Sequence, residues 1–342
     1  MAATTLEETA RALVAEGKGI LAADESDSTI KKRFDAIGVE STEENRRAYR
    51  DLLFTTSGIE EYISGVILFD ETIRQSAADG TPFPKLLESR GIIPGIKVDK
   101  GAKPLANAPG ETITEGLDGL RDRLEEYRGL GARFAKWRAT YTIGADLPSQ
   151  YAIWTNAHAL ARYAALSQEA GLVPIVEPEV LMDGDHSIDT SFRVTSKVLT
   201  AVYTELHDQR VELEGTLLKP NMVLSGYDAP EQASDDEVAE LTITCFRRHV
   251  PSAVPGIVFL SGGQTDEAAT AHLNAMNARA PHPWELSFSY GRALQAPAQK
   301  AWRGDPANVE AAQKAFYRRA KFNSAARFGS YAPEMEREVA SV

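Results

Sequence analysis

The chain has 342 residues, 43% hydrophobic and 25% charged, which is enough to bury a large core as two ordinary domains or as one α/β barrel. A formal net charge of −12 without a basic run argues against a nucleic-acid partner, so an anionic ligand would need a local positive pocket. The single cysteine, Cys245, excludes an intramolecular disulfide and a cysteine-ligated zinc site, and it favours a reducing compartment.

The N-terminal segment predicts a short helix. Thr5 and Glu8 have the spacing of a capping box, and Gly17 is suited to the turn that follows the helix. Acidic residues stand where a signal peptide would have its apolar core, and no apolar run approaches the length of a membrane span. We therefore expect a soluble, cytoplasmic protein that does not interact with membranes.

Eight short apolar runs rich in strand-forming residues recur along the chain. They cover residues 19–25, 63–71, 93–99, 132–137, 172–180, 215–223, 256–263 and 284–291. Amphipathic helical stretches, such as residues 152–171 and 236–249, lie between these runs. Continuous apolar runs are typical of parallel strands that are buried on both faces. The pattern predicts an α/β fold, a (β/α)8 TIM barrel over residues 1–342 with an N-terminal helix.

An open, doubly wound sheet is the competing architecture. That fold would carry a glycine fingerprint after its first strand, where this chain reads "AADESDST". No low-complexity segment or linker divides the chain, so we expect a single domain. The polar, aperiodic sequence "YAPEMEREVASV" predicts a flexible C-terminal tail over about residues 331–342.

Nearly every predicted strand ends in residues that can titrate or bind anions. These are Asp24, Asp70, Lys97, Lys136, Glu177, Glu179, Lys219, Ser261 and Arg292. In a β/α barrel the C-terminal strand ends form one face, so these side chains are expected to converge on one pocket. Alternation along a strand puts three pairs on a common side: Glu177 with Glu179, Lys97 with Asp99, and Lys136 with Arg138.

Lys219 ends an apolar run and is followed by Pro220, which stops the strand and places the amine at its rim. A neutral amine attacks carbonyls, but free lysine is almost fully protonated near pH 7 and needs a depressed pKa. Lys136 would supply like-charge repulsion, while Glu177 and Glu179 on the intervening strand could transfer protons. Each lysine alone could be a cationic strand end that reaches water. Together they imply an imine between Lys219 and a ketone.

Two segments have features of anion sites. The "SGG" turn at residues 261–263 ends a strand before a helix that begins near Thr265. Gly291 and Arg292 follow the eighth run, where barrels often bind phosphate. An SGG sequence alone is usually only a turn, but Arg292 strengthens the functional interpretation.

Asp24 and the histidines are less decisive. Asp24 could act at the end of its strand, or the segment could simply be a helix start capped by Asp27 or Ser28. The six histidines lack ligand spacing, so no metal site is predicted. We expect His186 near a helix start and the following on helix surfaces: His158, His207, His249 and His272.

Long segments of the chain resemble the class I fructose-1,6-bisphosphate aldolases, which form an imine and need no metal. The matching segments are "GKGILAADES", "YISGVILF", "GIKVDKG", "FAKWR", "PIVEPE", "DGDH", "LEGTLLKPNMV", "FLSGGQ" and "FSYGRALQA". They are long and specific, and they extend over nearly the whole chain. The resemblance implies reversible cleavage of fructose 1,6-bisphosphate to dihydroxyacetone phosphate and glyceraldehyde 3-phosphate in glycolysis and gluconeogenesis, without a metal or other cofactor.

The resemblance also implies roles for individual residues. Lys219 would form the Schiff base, and Glu177 would be the acid and base of imine chemistry with Glu179 beside it. Lys136 would assist, and Asp24 would take the proton of the C4 hydroxyl. The implied phosphate contacts are Ser261, Gly262, Gly263, Ser289, Gly291 and Arg292 at one end, and Arg33, Lys97 and Arg138 at the other.

The chain departs from the family pattern at two places. Thr29 stands where the family has a serine, which keeps a hydroxyl for the substrate but crowds the position. Members from animals end in a tyrosine that helps proton exchange at C3 of the enamine, whereas this chain ends in Ala340, Ser341 and Val342. We therefore expect enamine protonation to use another group or to be slower. Related enzymes are commonly tetramers, so a homo-oligomer, with a homotetramer as a candidate, is expected.

Two other functions stay open at this point. Another imine-forming barrel aldolase could prefer a different ketose phosphate, such as fructose 1-phosphate or sedoheptulose bisphosphate. A non-catalytic sugar-phosphate-binding scaffold could also keep the barrel. A scaffold would have no reason, however, to retain two lysines and their carboxylates at the strand ends.

Overall fold

A computed structural model describes residues 4–337, and this part of the chain contains a closed barrel of eight parallel strands. Over residues 4–337 the strands are β1 (Gly19–Ala23), β2 (Ile63–Leu68), β3 (Ile93–Lys97), β4 (Ala102–Pro104), β5 (Thr112–Thr114), β6 (Phe134–Tyr141), β7 (Val173–Val180), β8 (Leu217–Leu218), β9 (Gly256–Phe259) and β10 (Glu285–Tyr290). Around the barrel their order is β1-β10-β9-β8-β7-β6-β3-β2. The predicted TIM barrel is confirmed.

Helices surround the barrel strands. Over the same residues they are α1 (Leu6–Leu13), α2 (Asp27–Asp35), α3 (Glu43–Phe54), α4 (Asp70–Ile73), α5 (Phe83–Ser89), α6 (Leu120–Gly129), α7 (Gln150–Glu169), α8 (Ile188–Asp208), α9 (Asp235–His249), α10 (Asp266–Asn277), α11 (Arg292–Trp302) and α12 (Val309–Arg327). The predicted capping box at the start of α1 is present, because Thr5 Oγ1 accepts from the Glu8 N–H at 3.1 Å and the Glu8 carboxylate accepts from the Thr5 N–H at 2.8 Å. No helix within residues 4–337 is long and apolar enough to span a bilayer.

Three strand assignments differ from the expectation. Residues 215–223 contain only the short β8; Lys219 N–H still donates to the Val176 carbonyl at 2.8 Å, but Pro220 has no N–H to continue the ladder. β6 does not end at residue 137; it pairs with β7 as far as Tyr141. The antiparallel hairpin of β4 and β5 was not predicted, because β4 is exposed and lacks an apolar alternation.

An apolar cluster fills the N-terminal end of the barrel. Helix α1 contributes Ala10 and Leu13 to this cluster, where they join Phe134 from β6. The Phe134 ring is so close to β3 that a Cβ added to Gly95 would lie 2.3 Å from it. This end is therefore tightly packed, mainly with apolar side chains, and the charged groups of the predicted site lie at the other end.

The expected flexible tail is partly described. Tyr331 is buried, and its hydroxyl lies 3.1 Å from a carboxylate oxygen of Glu336. The guanidinium groups of Arg318 and Arg319 on α12 also pair with Glu336. Glu336 thus contacts α12, and the flexibility expected for this segment stays a prediction. The final residues Ala340, Ser341 and Val342 lie outside the described residues.

Candidate active site

The polar strand ends predicted from the sequence meet in one cleft at the C-terminal end of the barrel. The predicted site residues that line it are Asp24, Thr29, Arg33, Lys97, Lys136, Arg138, Glu177, Glu179, Lys219, Ser261, Gly262, Ser289, Gly291 and Arg292. Gly263 is not in this lining; it faces Tyr227, whose ring carbons would lie about 2.4–2.5 Å from an added Cβ. Asp70 also lies elsewhere, because it begins α4 and pairs with Arg74 at 2.8 Å.

Glu177 on β7 links the two lysines at the bottom of the cleft. Its Oε2 lies 3.1 Å from Lys136 Nζ on β6, and its Oε1 lies 3.2 Å from Lys219 Nζ, just after β8. All three side chains are buried. Because β6, β7 and β8 are adjacent in the barrel, their C-terminal ends bring these groups together. The two amines contact opposite oxygens of one carboxylate and do not simply face each other.

Lys136 is also the partner of two other carboxylates. Its Nζ lies 2.7 Å from Asp24 Oδ2 and 4.0 Å from Asp99 Oδ2. Burial alone would lower the pKa of Lys136, but the charges of Asp24, Glu177 and Asp99 outweigh burial and hold the pKa well above its ordinary value. Lys136 therefore stays a cation at neutral pH.

The pKa values of the carboxylates Asp24 and Glu177 are shifted downward, opposite to that of Lys136. Burial would raise the pKa of Asp24, but the ammonium groups of Lys136, Lys219 and Lys97 hold it well below its usual range. Burial would also raise the pKa of Glu177, but the positive charges of Lys136, Lys219 and Arg138 outweigh burial and lower that pKa. Asp24 and Glu177 are consequently anions at neutral pH, although both side chains are largely or fully buried.

One end of the cleft gathers groups that suit an anion. Arg292 begins α11 directly after Gly291, and its Nη2 donates to the Gly262 carbonyl at 2.6 Å, which joins the two segments that the sequence singled out. The hydroxyl of Ser289 is buried and has no hydrogen-bond partner within residues 4–337. The N-terminus of α11 adds the positive end of a helix dipole to these groups.

The other end has its own cations. Lys97 Nζ lies 3.4 Å from Asp99 Oδ1, and the Arg138 guanidinium pairs with Glu179. Arg33 does not belong to this end, contrary to the grouping expected from the resemblance. Its Nη2 lies 3.7 Å from the point that a Cβ on Gly291 would occupy, because Glu25 draws the guanidinium toward that side.

Sequence reasoning gave no role to two buried acids of the site. Asp99 was placed on the same side as Lys97 and in fact contacts both Lys97 and Lys136. Glu25 follows Asp24 and pairs with Arg33 and with Arg50 of α3. In the sequence, one feature could have indicated a role for Asp99 and Glu25. Each is an acidic residue close to a strand end that already carries another charged residue.

The expectations for the histidines were partly wrong. His272 on α10 is buried; its Nδ1 lies 2.6 Å from Gln264 Oε1 and its Nε2 lies 3.1 Å from Asp235 Oδ1. It therefore supports the turn that follows β9 and does not lie on the helix surface. Over residues 4–337, no three or more His, Cys, Asp or Glu side chains are grouped in a way that could hold a metal ion.

Comparison with known proteins places this cleft in a family. The profile of "Fructose-bisphosphate aldolase class-I" matches residues 5–342. A "probable fructose-bisphosphate aldolase class 1" of Xanthomonas campestris is 61% identical over 332 residues, which are 97% of this chain and 99% of the relative. The fructose-bisphosphate aldolase of Dictyostelium discoideum is 55% identical over 335 residues, which are 97% of this chain and 94% of the relative.

A solved structure agrees with these sequence relatives. The fructose-bisphosphate aldolase of Plasmodium falciparum, determined in complex with TRAP and a small-molecule inhibitor, is 52% identical to this chain. It superposes with a TM-score of 0.95, and the match covers 96% of this chain and 95% of that one. The fold, the cleft and the near-complete matches agree, and this chain belongs to the class I fructose-bisphosphate aldolase family.

Proposed function

We propose that this chain cleaves fructose 1,6-bisphosphate reversibly to dihydroxyacetone phosphate and glyceraldehyde 3-phosphate, through an imine on Lys219. The observation that carries the proposal is the shared carboxylate of Glu177, which lies 3.1 Å from Lys136 Nζ and 3.2 Å from Lys219 Nζ. Cationic groups flank this centre on two sides, as a substrate with a phosphate at each end requires.

The first step is imine formation. The Lys219 ammonium group gives a proton to Glu177 Oε1, and the neutral amine that results attacks C2 of the ketose to form an N–C bond. The carbonyl oxygen takes one proton from the attacking nitrogen and the other back from Glu177, and it leaves as water when the C2–O bond breaks and the iminium forms. Glu177 is within reach for these transfers, and its burial in the cleft keeps bulk water away from them.

The second step breaks the C3–C4 bond. Asp24 is ionised and takes the proton of the C4 hydroxyl, which becomes the aldehyde of glyceraldehyde 3-phosphate. The electron pair of the broken bond moves into the iminium and gives an enamine. Since a carboxylate with a lowered pKa is a weak base, the iminium has to supply the driving force as an electron sink. Protonation of the enamine at C3 and hydrolysis of the imine then release dihydroxyacetone phosphate.

Lys136 supports both steps without becoming the nucleophile. Its ammonium group contacts Asp24 at 2.7 Å and Glu177 at 3.1 Å, so it orients the two carboxylates toward one space. Glu179 has a supporting role, because it holds Arg138 at the rim. The cation of Lys136 also offsets the negative charge that develops on oxygen atoms of the substrate.

The phosphates are assigned to the two cationic ends. For one end we propose Ser261, Gly262, Gly263, Ser289, Gly291 and Arg292, joined by Arg33, and for the other end Lys97 and Arg138. Thr29 also lines the cleft, and we assign its hydroxyl to a further contact with the substrate. An acidic chain with a local basic pocket can concentrate an anionic substrate in this way.

We also propose that the reaction needs no metal or other cofactor, in keeping with the imine mechanism of the family. Activity that persists in the presence of a chelator would support this part.

A cytoplasmic location and a homo-oligomeric state are proposed from the resemblance, and one Arabidopsis relative is named as cytosolic. Light scattering of the purified protein tests the oligomeric state.

Reductive trapping tests the nucleophile. Borohydride added during turnover of fructose 1,6-bisphosphate reduces the imine, and we expect the mass of dihydroxyacetone phosphate, less one oxygen, on the peptide that contains Lys219. Lys219→Arg keeps the charge and serves as the unlabelled control. An adduct on Lys136, or active enzyme that forms no adduct, would refute the mechanism. Binding of the bisphosphate without any cleavage would instead favour a scaffold.

A further inference from the structure

A buried carboxylate in the lining of the cleft, that of Glu25, pairs with two guanidinium groups. The side chain of Glu25 is only 4% exposed. Its Oε1 accepts from Arg33 and, at 2.8 Å, from Gln295 Nε2, while its Oε2 accepts from Arg50 Nη2 at 2.6 Å. One anion is thus paired with two cations, which is more than its charge requires.

The two arginines stand in different surroundings. The Arg33 side chain is 22% exposed and lines the cleft, with Nη1 on Glu25 and Nη2 on the side of Gly291. The Arg50 side chain is 3% exposed and does not line the cleft. Within residues 4–337 its Nε and Nη1 have no hydrogen-bond partner, and Glu25 is its ion-pair partner. Arg33 can therefore reach a ligand, whereas Arg50 cannot.

We propose that Arg50 is a positioning residue that frees Arg33 for a substrate phosphate. If Arg33 were the only counterion of Glu25, its movement toward a phosphate would leave a buried carboxylate unpaired, which is strongly unfavourable. Arg50 keeps Glu25 paired in both positions of Arg33. The inference rests on the proposed function for the identity of the ligand, but the geometry of Glu25 and the two arginines is independent of it.

The proposal separates binding from chemistry. Arg50→Met leaves Arg33 as the single guanidinium partner of Glu25, so Arg33 is held back from the phosphate. We expect the KM for fructose 1,6-bisphosphate to rise roughly 10–100-fold, with kcat changed less than about threefold. Arg50→Lys retains a cation that can reach Glu25 and should recover part of the affinity. A purely structural role of Arg50 would not give this split between KM and kcat.

A double-mutant cycle tests whether Arg50 acts through Glu25. In a Glu25→Gln background Arg33 is no longer held by a carboxylate, so adding Arg50→Met is expected to change the KM less than about threefold. The double variant also removes both buried charges together, which protects the test against failure to fold. An equal loss of affinity from Arg50→Met in both backgrounds would overturn the proposal, and so would an unchanged KM in the single variant.

A binding measurement distinguishes this inference from the proposed function. Inorganic phosphate is titrated into the full-length wild type and the same variants, and its dissociation constant is read by phosphorus NMR at fixed ionic strength. We expect the pattern seen for KM: weaker binding in Arg50→Met and no further loss in the Glu25→Gln background. If no protein cleaves the bisphosphate but this pattern holds, the proposed function fails and the role of Arg50 stands. If phosphate binds all variants equally, the role of Arg50 is refuted.

Discussion

Replacement of Lys136 by methionine is the sharpest test of the charge network. The side chain is 4% exposed and is the cation nearest to both Asp24 and Glu177, at 2.7 Å and 3.1 Å. Methionine keeps much of the volume of the side chain but removes the charge. Loss of one partner from a buried ion pair costs about 3–5 kcal/mol, and we expect the free energy of unfolding to fall by that amount. Denaturant unfolding at pH 8 measures it.

The pH dependence of this loss has a definite sign. In the wild type Asp24 and Glu177 have lowered pKa values, so their contribution to stability is present above the pKa of the unfolded chain, about 4, and is lost only as the pH falls further. In Lys136→Met the burial of the two carboxylates is opposed by fewer cations, and we expect it to raise both pKa values above those of the unfolded chain. The variant then loses stability as the pH rises from about 4 through those raised values. The difference from the wild type should therefore widen between pH 5 and pH 8.

Lys300→Met provides the matched control, since Lys300 is exposed on α11 and the variant has the same change in net charge. We expect it to differ from the wild type by less than about 0.5 kcal/mol at every pH. If Lys136→Met unfolds like this control at pH 8, or if the difference narrows from pH 5 to pH 8, Lys136 does not hold the buried carboxylates and the reasoning fails.

Two further predictions concern the proposed catalytic carboxylate, Glu177, and the barrel core. Glu177→Gln keeps the shape of the side chain but cannot accept the proton of Lys219, so steady-state kinetics should show kcat lowered roughly 10²–10⁴-fold at a similar KM; an unchanged kcat would contradict the role of Glu177. Gly95→Ala forces a Cβ to within 2.3 Å of the buried Phe134 ring, so the free energy of unfolding measured with denaturant should fall by about 1–3 kcal/mol. The control is Gly129→Ala on α6, where nothing lies within 4 Å of the added Cβ, and this variant should be neutral or stabilising. Equal stability of the two alanine variants would exclude this packing argument.

The sequence was most informative where one chemical pattern determines the structure. Continuous apolar runs located all eight barrel strands, because a strand buried on both faces needs apolar side chains at successive positions. The ends of the strands were less predictable. β8 is shorter than its apolar run because Pro220 cannot donate to the ladder, and the β4–β5 hairpin has no apolar signal at all.

The site was predictable as a set of strand ends but not as a set of contacts. The barrel rule brings Lys136, Glu177 and Lys219 to one face without any knowledge of distances. It does not say which oxygen meets which amine, or that Glu25 would draw Arg33 toward Gly291. Such contacts depend on side chains that meet across many residues of sequence, and a single chain gives no local pattern for them.

The distribution of charge supports the proposal that Lys219, and not Lys136, is the nucleophile. Within residues 4–337, Lys136 lies within 4.0 Å of Asp24, Asp99 and Glu177, and all three oppose the loss of its proton. In the described part of the chain, Lys219 has one ion-pair partner, Glu177. When Glu177 takes a proton from Lys219, the carboxylic acid no longer stabilises an ammonium group there, while Lys136 keeps its contact with Asp24. In the proposed mechanism, the cation that orients the site is therefore preserved when Lys219 becomes the nucleophile.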